Sequence, residues 1–108
     1  MQLGLIGLGK MGANMRTRLK QFDHEVVGYD PRPEVTDVES LADLAAALET
    51  PRVVWVMVPS GAPTRETVEK LADVLSPGDL VIDGGNSRYT DDAVNAELLD
   101  AKGIGYLD

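Results

Sequence analysis

The chain has 108 residues, 44% of them hydrophobic, which suits one domain with one modest core and leaves no room for a second full domain. A formal net charge of −8 sets its field against a phosphate backbone, so nucleic acid is excluded as the expected partner. The absence of cysteine removes disulfides and thiolate metal sites, and no apolar run approaches the ~20 residues that a membrane span needs.

The apolar start, Met1 to Gly9, lacks a basic flank and is interrupted by Gly4, Gly7 and Gly9, so it reads as a strand and a turn rather than a signal peptide. A soluble, cytoplasmic protein is the expectation. Strands are expected at Gln2 to Ile6, Glu25 to Tyr29, Val53 to Val58, Leu80 to Asp83 and Ile104 to Leu107. The third run has no polar alternation and reads as a central strand buried on both faces.

Between the strands, Met11 to Phe22 reads as the first helix. Ser40, with Asp43 three residues on, opens the second. Thr64 is the expected cap of a third helix running to about Leu75, where Ser76-Pro77-Gly78-Asp79 supplies a stop and a turn. Thr90 is the expected cap of a fourth, with Asp91 and Asp92 at the positive end of its dipole and Gly103 beyond its last turn. Pro31 to Glu39 shows neither period and reads as a loop, with a short edge strand near Val35 to Val38 as the alternative. Alternating strands and helices of this kind specify a Rossmann-type, doubly wound, mainly parallel α/β sheet in three layers.

The residues that carry chemistry begin with Gly7-Leu8-Gly9-Lys10-Met11-Gly12, a G-x-G-x-x-G sequence that follows a strand and opens a helix. In that context Gly7 permits the tight turn, Gly9 lets a pyrophosphate approach the backbone and Gly12 lets the helix pack on the sheet. The anion is held by backbone N–H groups at the helix start, so Lys10 can be merely solvated. Asp30 stands 18 positions after Gly12 at the end of the second strand, placed to accept from a ribose 2′-OH and to repel a 2′-phosphate. This favours NAD, with NADP as the alternative because Arg32 lies two residues further on and can pair with a 2′-phosphate. Val58-Pro59-Ser60-Gly61 and Asp83-Gly84-Gly85-Asn86-Ser87 are the other strand ends expected at the same crevice, each also readable as an ordinary strand-to-helix turn. His24, the single histidine, and Trp55 read as structural, and Asp37, Glu39, Asp91 and Asp92 as solvated charge. No catalytic set and no metal-ligand spacing is evident.

Gly7 to Met15 (GLGKMGANM), Glu49 to Gly61 (ETPRVVWVMVPSG) and Pro77 to Ser87 (PGDLVIDGGNS) resemble the N-terminal cofactor domain of 6-phosphogluconate dehydrogenase, in its shorter, NAD-preferring branch. The 3-hydroxyisobutyrate dehydrogenase family, which shares the fingerprint and the strand-end proline but differs at Asp83 to Ser87, is the runner-up. The resemblance implies oxidation of 6-phosphogluconate with hydride transfer to the nicotinamide, then decarboxylation to ribulose 5-phosphate in the pentose phosphate pathway. Residue by residue it implies that Gly7, Leu8, Gly9, Lys10, Met11 and Gly12 hold the pyrophosphate. Asp30, Pro31 and Arg32 would form the ribose loop, and Val58, Pro59 and Ser60 would line the crevice. Asn86 would stand where the cofactor meets the sugar-acid phosphate. The family's lysine base, glutamate acid and helical substrate domain have no counterpart in residues 1–108, so the isolated chain is expected to bind dinucleotide, to catalyse little and to self-associate through exposed apolar surface. Pro31 to Ser40 looks shorter than the family's equivalent. A binding module without catalysis, or a shortened chain that has lost binding, remains the alternative from another class.

Overall fold

Five short runs rich in branched aliphatic residues pair side by side as parallel strands in the computed structural model, which describes residues 1–58, 62–84 and 89–107. They are β1 (Gln2–Ile6), β2 (Glu25–Tyr29), β3 (Val53–Val56), β4 (Leu80–Asp83) and β5 (Gly105–Leu107). Between them run α1 (Lys10–Gln21), α2 (Leu41–Ala47), α3 (Ala62–Val74) and α4 (Tyr89–Asp100). The sheet order is β2-β1-β3-β4-β5, with Leu5 facing Gly28 on one side and Trp55 on the other. This is the expected Rossmann-type order: the chain leaves β1 towards β2, then returns across it to build β3, β4 and β5, so the winding reverses beside β1.

The two faces of the sheet are covered unequally. Leu44 of α2, Val68 and Leu71 of α3 and Leu99 of α4 close over Ile6, Val54, Val56 and Val81 in the larger core. On the opposite face α1 packs against β1 and β2, with Met15 and Leu19 against Leu3, Leu5, Leu8 and Val26. β3 is central, between β1 and β4, but it is not buried on both faces as expected. Val54 and Val56 are fully buried, whereas Val53 and Trp55 are half-buried, because α1 reaches only the β1 and β2 side of that face. A continuous apolar run carries no record of which face lacks a helix.

Local chemistry sets the element boundaries. The Ser40 hydroxyl accepts from the Asp43 N–H at 3.0 Å, the expected cap of α2. By contrast α3 begins at Ala62, so Thr64 lies inside its first turn and is buried there instead of capping it. α4 begins at Tyr89, one residue ahead of the expected cap at Thr90. The turn at Ser76 to Asp79 is tied down by the Asp79 carboxylate, which accepts from the Ser76 and Arg52 N–H groups at 2.8 and 2.7 Å and so joins the end of α3 to the start of β3.

Val35 to Val38 is not a strand, yet it closes the edge of β2. The Asp37 N–H donates to the Gly28 carbonyl at 2.9 Å, the Asp37 carboxylate accepts from the Gly28 N–H at 2.8 Å, and the Thr36 hydroxyl accepts from the Asp30 N–H at 3.0 Å. Arg16 of α1 donates to the Val35 carbonyl and to the Asp37 carboxylate. Asp37 is therefore an edge-capping residue as well as an exposed loop charge, and the short segment protects the open strand without extending the sheet.

α1 sits so close to the turn after β1 that a Cβ at Gly12 would run into the Gly7 carbonyl oxygen. Gly12→Ala is therefore expected to lower stability by about 2 kcal/mol or more in chemical denaturation, although alanine is the better helix former. An unchanged unfolding midpoint would show that α1 can move away from the strand.

Candidate functional site

Beyond the carboxyl ends of β1 and β3, beside the winding reversal, lies a cleft of about 980 Å³. Its floor is the glycine turn. Gly7 has φ +93, donates its N–H to the Tyr29 carbonyl at 2.9 Å, and has no room for a Cβ because the Met57 carbonyl oxygen would lie 2.8 Å from it. Gly9 is the N-terminal boundary of α1 and has no atom within 4 Å of where a Cβ would stand, so its outer side is open. The first intrahelical bond of α1 runs from the Ala13 N–H to the Gly9 carbonyl at 2.8 Å. The N–H groups of Lys10, Met11 and Gly12 therefore precede the ladder, and no acidic residue lies in that turn. This is the geometry of an anion site at a helix start.

Asp30 closes the other end of the floor. Its side chain is only 9% exposed, and Oδ2 accepts from the Leu8 N–H at 2.8 Å, tying the end of β2 to the glycine turn. Oδ1 accepts from the Arg32 N–H at 3.0 Å and from Arg32 Nε at 2.9 Å, while Arg32 Nη2 donates to the Leu8 carbonyl at 2.9 Å. The Arg32 guanidinium, with the Arg32 and Leu8 N–H groups, outweighs the desolvation of the carboxyl and lowers its pKa to about 2. Asp30 is thus a fixed negative charge at neutral pH.

Of the residues expected at the site, Gly7, Gly9, Lys10, Met11, Gly12, Asp30, Pro31, Arg32 and Val58 line the cleft. Leu8 does not. Its side chain is 2% exposed in the core beneath α1, and its N–H is already engaged by Asp30, so Leu8 is a structural member of the fingerprint rather than a pyrophosphate contact. Pro59, Ser60 and Asn86, with Gly61, Gly85 and Ser87, lie outside the described residues. Arg32 is not swinging free on its loop, being held on Asp30 and the Leu8 carbonyl.

The far wall of the cleft was not anticipated from the sequence. It consists of Glu39, Ser40 and Leu41 at the start of α2 and of Glu66, Thr67 and Lys70 on α3. The 66, 67, 70 spacing is one face of a helix, a signal that was available but had no partner to point at. The short Pro31 to Ser40 segment therefore still delivers a wall, through the α2 start. His24 is half-buried, with Nδ1 3.3 Å from the chain's N-terminal nitrogen and no place in the cleft. Among the described residues no cluster of three or more histidines, cysteines or acids can hold a metal, and no helix is long and apolar enough to cross a membrane.

Comparison with known proteins gives a consistent set of likenesses. A family model described as the NAD binding domain of 6-phosphogluconate dehydrogenase matches residues 2–108. The NAD(+)-dependent, decarboxylating 6-phosphogluconate dehydrogenase of Haloferax volcanii is 37% identical over 117 residues, covering 100% of this chain and 38% of that protein. Among solved structures, Plasmodium falciparum 6-phosphogluconate dehydrogenase, studied in its apo form, with its cofactor NADP+ and with its substrate 6-phosphogluconate, shares the fold at a TM-score of 0.91. It is 24% identical, with 100% of this chain and 26% of that one covered. Mycobacterium tuberculosis 3-hydroxyisobutyrate dehydrogenase has a TM-score of 0.86 and is 28% identical, with 97% of this chain and 38% of that one covered. The chain spans about a quarter to two-fifths of the length of the curated relatives it matches.

The depressed pKa of Asp30 makes stability depend on pH in one window. A carboxyl that is more acidic folded than unfolded contributes fully above its ordinary value of 3.8, and that contribution is lost as pH falls towards about 2. With Arg32 half-exposed, the contribution is discounted for solvent screening to on the order of 1–2 kcal/mol. Chemical denaturation at pH 5 and near pH 2 is expected to show a steeper loss for the parent chain than for Asp30→Asn, and equal slopes would remove Asp30 from the account.

Proposed function

We propose that this chain, which belongs to the family of NAD-binding domains of 6-phosphogluconate dehydrogenase, binds NAD in the cleft at the carboxyl ends of β1 and β3 and presents it for oxidation of a phosphorylated sugar acid. The observation that carries the reading is the meeting, in one cleft, of an open helix start at Gly9 with the ionised carboxylate of Asp30. The pyrophosphate fits the first, because Gly9 leaves its side of the turn open and the leading N–H groups of α1 supply donors without a side chain. The adenosine ribose fits the second, because an anionic acceptor takes hydroxyl donors and repels a 2′-phosphate. The cleft volume is at the upper end of the ordinary range for small-molecule sites, as a dinucleotide requires.

In the whole enzyme the bound nicotinamide supplies the acceptor for a hydride. This chain's residues bind and orient it: Gly7, Gly9, Lys10, Met11 and Gly12 hold the pyrophosphate, Asp30 the ribose, and Val58, two residues beyond β3, lines the same cleft. Asn86, as a substrate contact, is part of the same proposal and rests on the Asp83 to Ser87 sequence. The reaction proposed for the whole protein is oxidation of 6-phosphogluconate followed by decarboxylation to ribulose 5-phosphate, in the cytoplasm. A 3-hydroxyisobutyrate-type activity is the second reading, favoured by the solved relative of that name. The family match over residues 2–108 and the DGGNS sequence favour the first.

Calorimetric titration with NAD and NADP at one ionic strength tests the reading. Saturable binding that favours NAD is expected, and Asp30→Ala is expected to reduce the NAD to NADP affinity ratio by roughly tenfold. An unchanged ratio would take Asp30 out of the site. Gly9→Ala separates binding from folding: with ordinary backbone angles and open space, it should leave the unfolding midpoint in place while weakening both dinucleotides roughly tenfold. Undiminished binding there would move the pyrophosphate away from α1.

A further inference from the structure

The acid assigned to the ribose has no acceptor site left. A carboxylate offers about four lone-pair sites. On Asp30 the Leu8 N–H takes one on Oδ2 at 2.8 Å, the Arg32 N–H takes one on Oδ1 at 3.0 Å, Arg32 Nε takes the other on Oδ1 at 2.9 Å, and Arg32 Nη2 approaches Oδ2 at 3.4 Å. The four are of two kinds. Two are backbone donors in the glycine turn and the loop after β2, and these fix the carboxylate in place. The other two come from one side chain that is 52% exposed and lines the cleft, on a backbone held separately by the bonds from the Val35 and Thr36 N–H groups to the Arg32 carbonyl. The side chain's departure also gives up the Nη2 bond to the Leu8 carbonyl at 2.9 Å, but leaves the loop backbone in place.

A ribose brings a vicinal pair of hydroxyl donors, the same number that the Arg32 side chain occupies. We propose that the Arg32 guanidinium is a built-in competitor for the ribose diol: it fills the two exchangeable acceptor sites of Asp30 and must swing out before a dinucleotide can seat. This rests on the reading of the cleft as a dinucleotide site and adds a determinant of affinity and selectivity to it. The competitor acts differently on the two cofactors. NAD gains the two Asp30 sites when Arg32 departs and gives nothing back to the guanidinium, whereas the 2′-phosphate of NADP pairs with the released guanidinium and recovers part of the cost. Arg32 therefore lowers affinity for NAD and narrows the preference for NAD over NADP.

Titration of the full chain and of Arg32→Ala with NAD and NADP decides between this and a direct contact. The expected result is NAD binding tightened roughly threefold to tenfold in the variant, the size of a partly exposed charged hydrogen-bonded pair, with NADP tightened less or weakened. Weaker NAD binding in the variant, or a change within twofold, overturns the proposal while leaving the cleft assignment standing on the parent chain's own binding. Absence of NAD binding by the parent chain and the variant alike overturns the cleft reading and the competitor with it. A second measurement does not depend on the variant folding. The Arg32 Nε–H resonance of the parent chain should shift and exchange faster with water on saturation with NAD, and a resonance unmoved at saturation shows that Arg32 stays on Asp30.

Discussion

The contact between Gly12 and the Gly7 carbonyl is the constraint on which the rest of the site depends. It seats the first turn of α1 directly over the end of β1, where two elements joined by so short a turn would otherwise be held apart by a side chain. With the helix seated there, Leu8 is buried in the core beneath it, and the residues whose N–H groups precede its ladder line the cleft. The core packing and the proposed anion site are therefore two results of one close approach.

Asp30 secures that arrangement from the neighbouring strand. A carboxylate taken almost wholly out of water needs partners, and it finds them in the Leu8 N–H and in Arg32. The buried bond from the Leu8 N–H is of the charge-assisted kind worth about 1.5–3 kcal/mol, and it holds the turn after β1 against the end of β2. The residue proposed to distinguish a hydroxyl from a phosphate is thus also a structural tie. Selectivity and stability at this position are difficult to change independently.

Much of this is legible in the sequence, and the parts that are not share a physical reason. The fingerprint glycines stand for steric demands, so Gly7, Gly9 and Gly12 could be assigned their places one by one, and Asp30 followed from its distance to them. The same pattern says nothing about which intervening side chain turns inward, and Leu8, taken with the others as a contact, is buried. Whether β3 is covered on both faces depends on where helices distant in sequence come to rest, and valine and tryptophan suit a half-open face as well as a sealed one. Asp37 resembled solvated loop charge because the strand edge that it closes exists only once β2 is in place. Glu66, Thr67 and Lys70 share a helix face with no visible target until α3 packs beside α2 and the two form one wall of the cleft.

The unequal covering of the sheet also governs how the sequence can vary. Along β3 and β4 successive residues answer to different solvents: Val54, Val56 and Val81 face a sealed interior where one methylene matters, while Val53, Trp55 and Ile82 face a surface that is only part-covered. Substitutions with period two should therefore accumulate on these strands as related chains diverge, with volume held constant at one set of positions and allowed to drift at the other. A strand that looks uniformly apolar in one sequence would then show its orientation only across many.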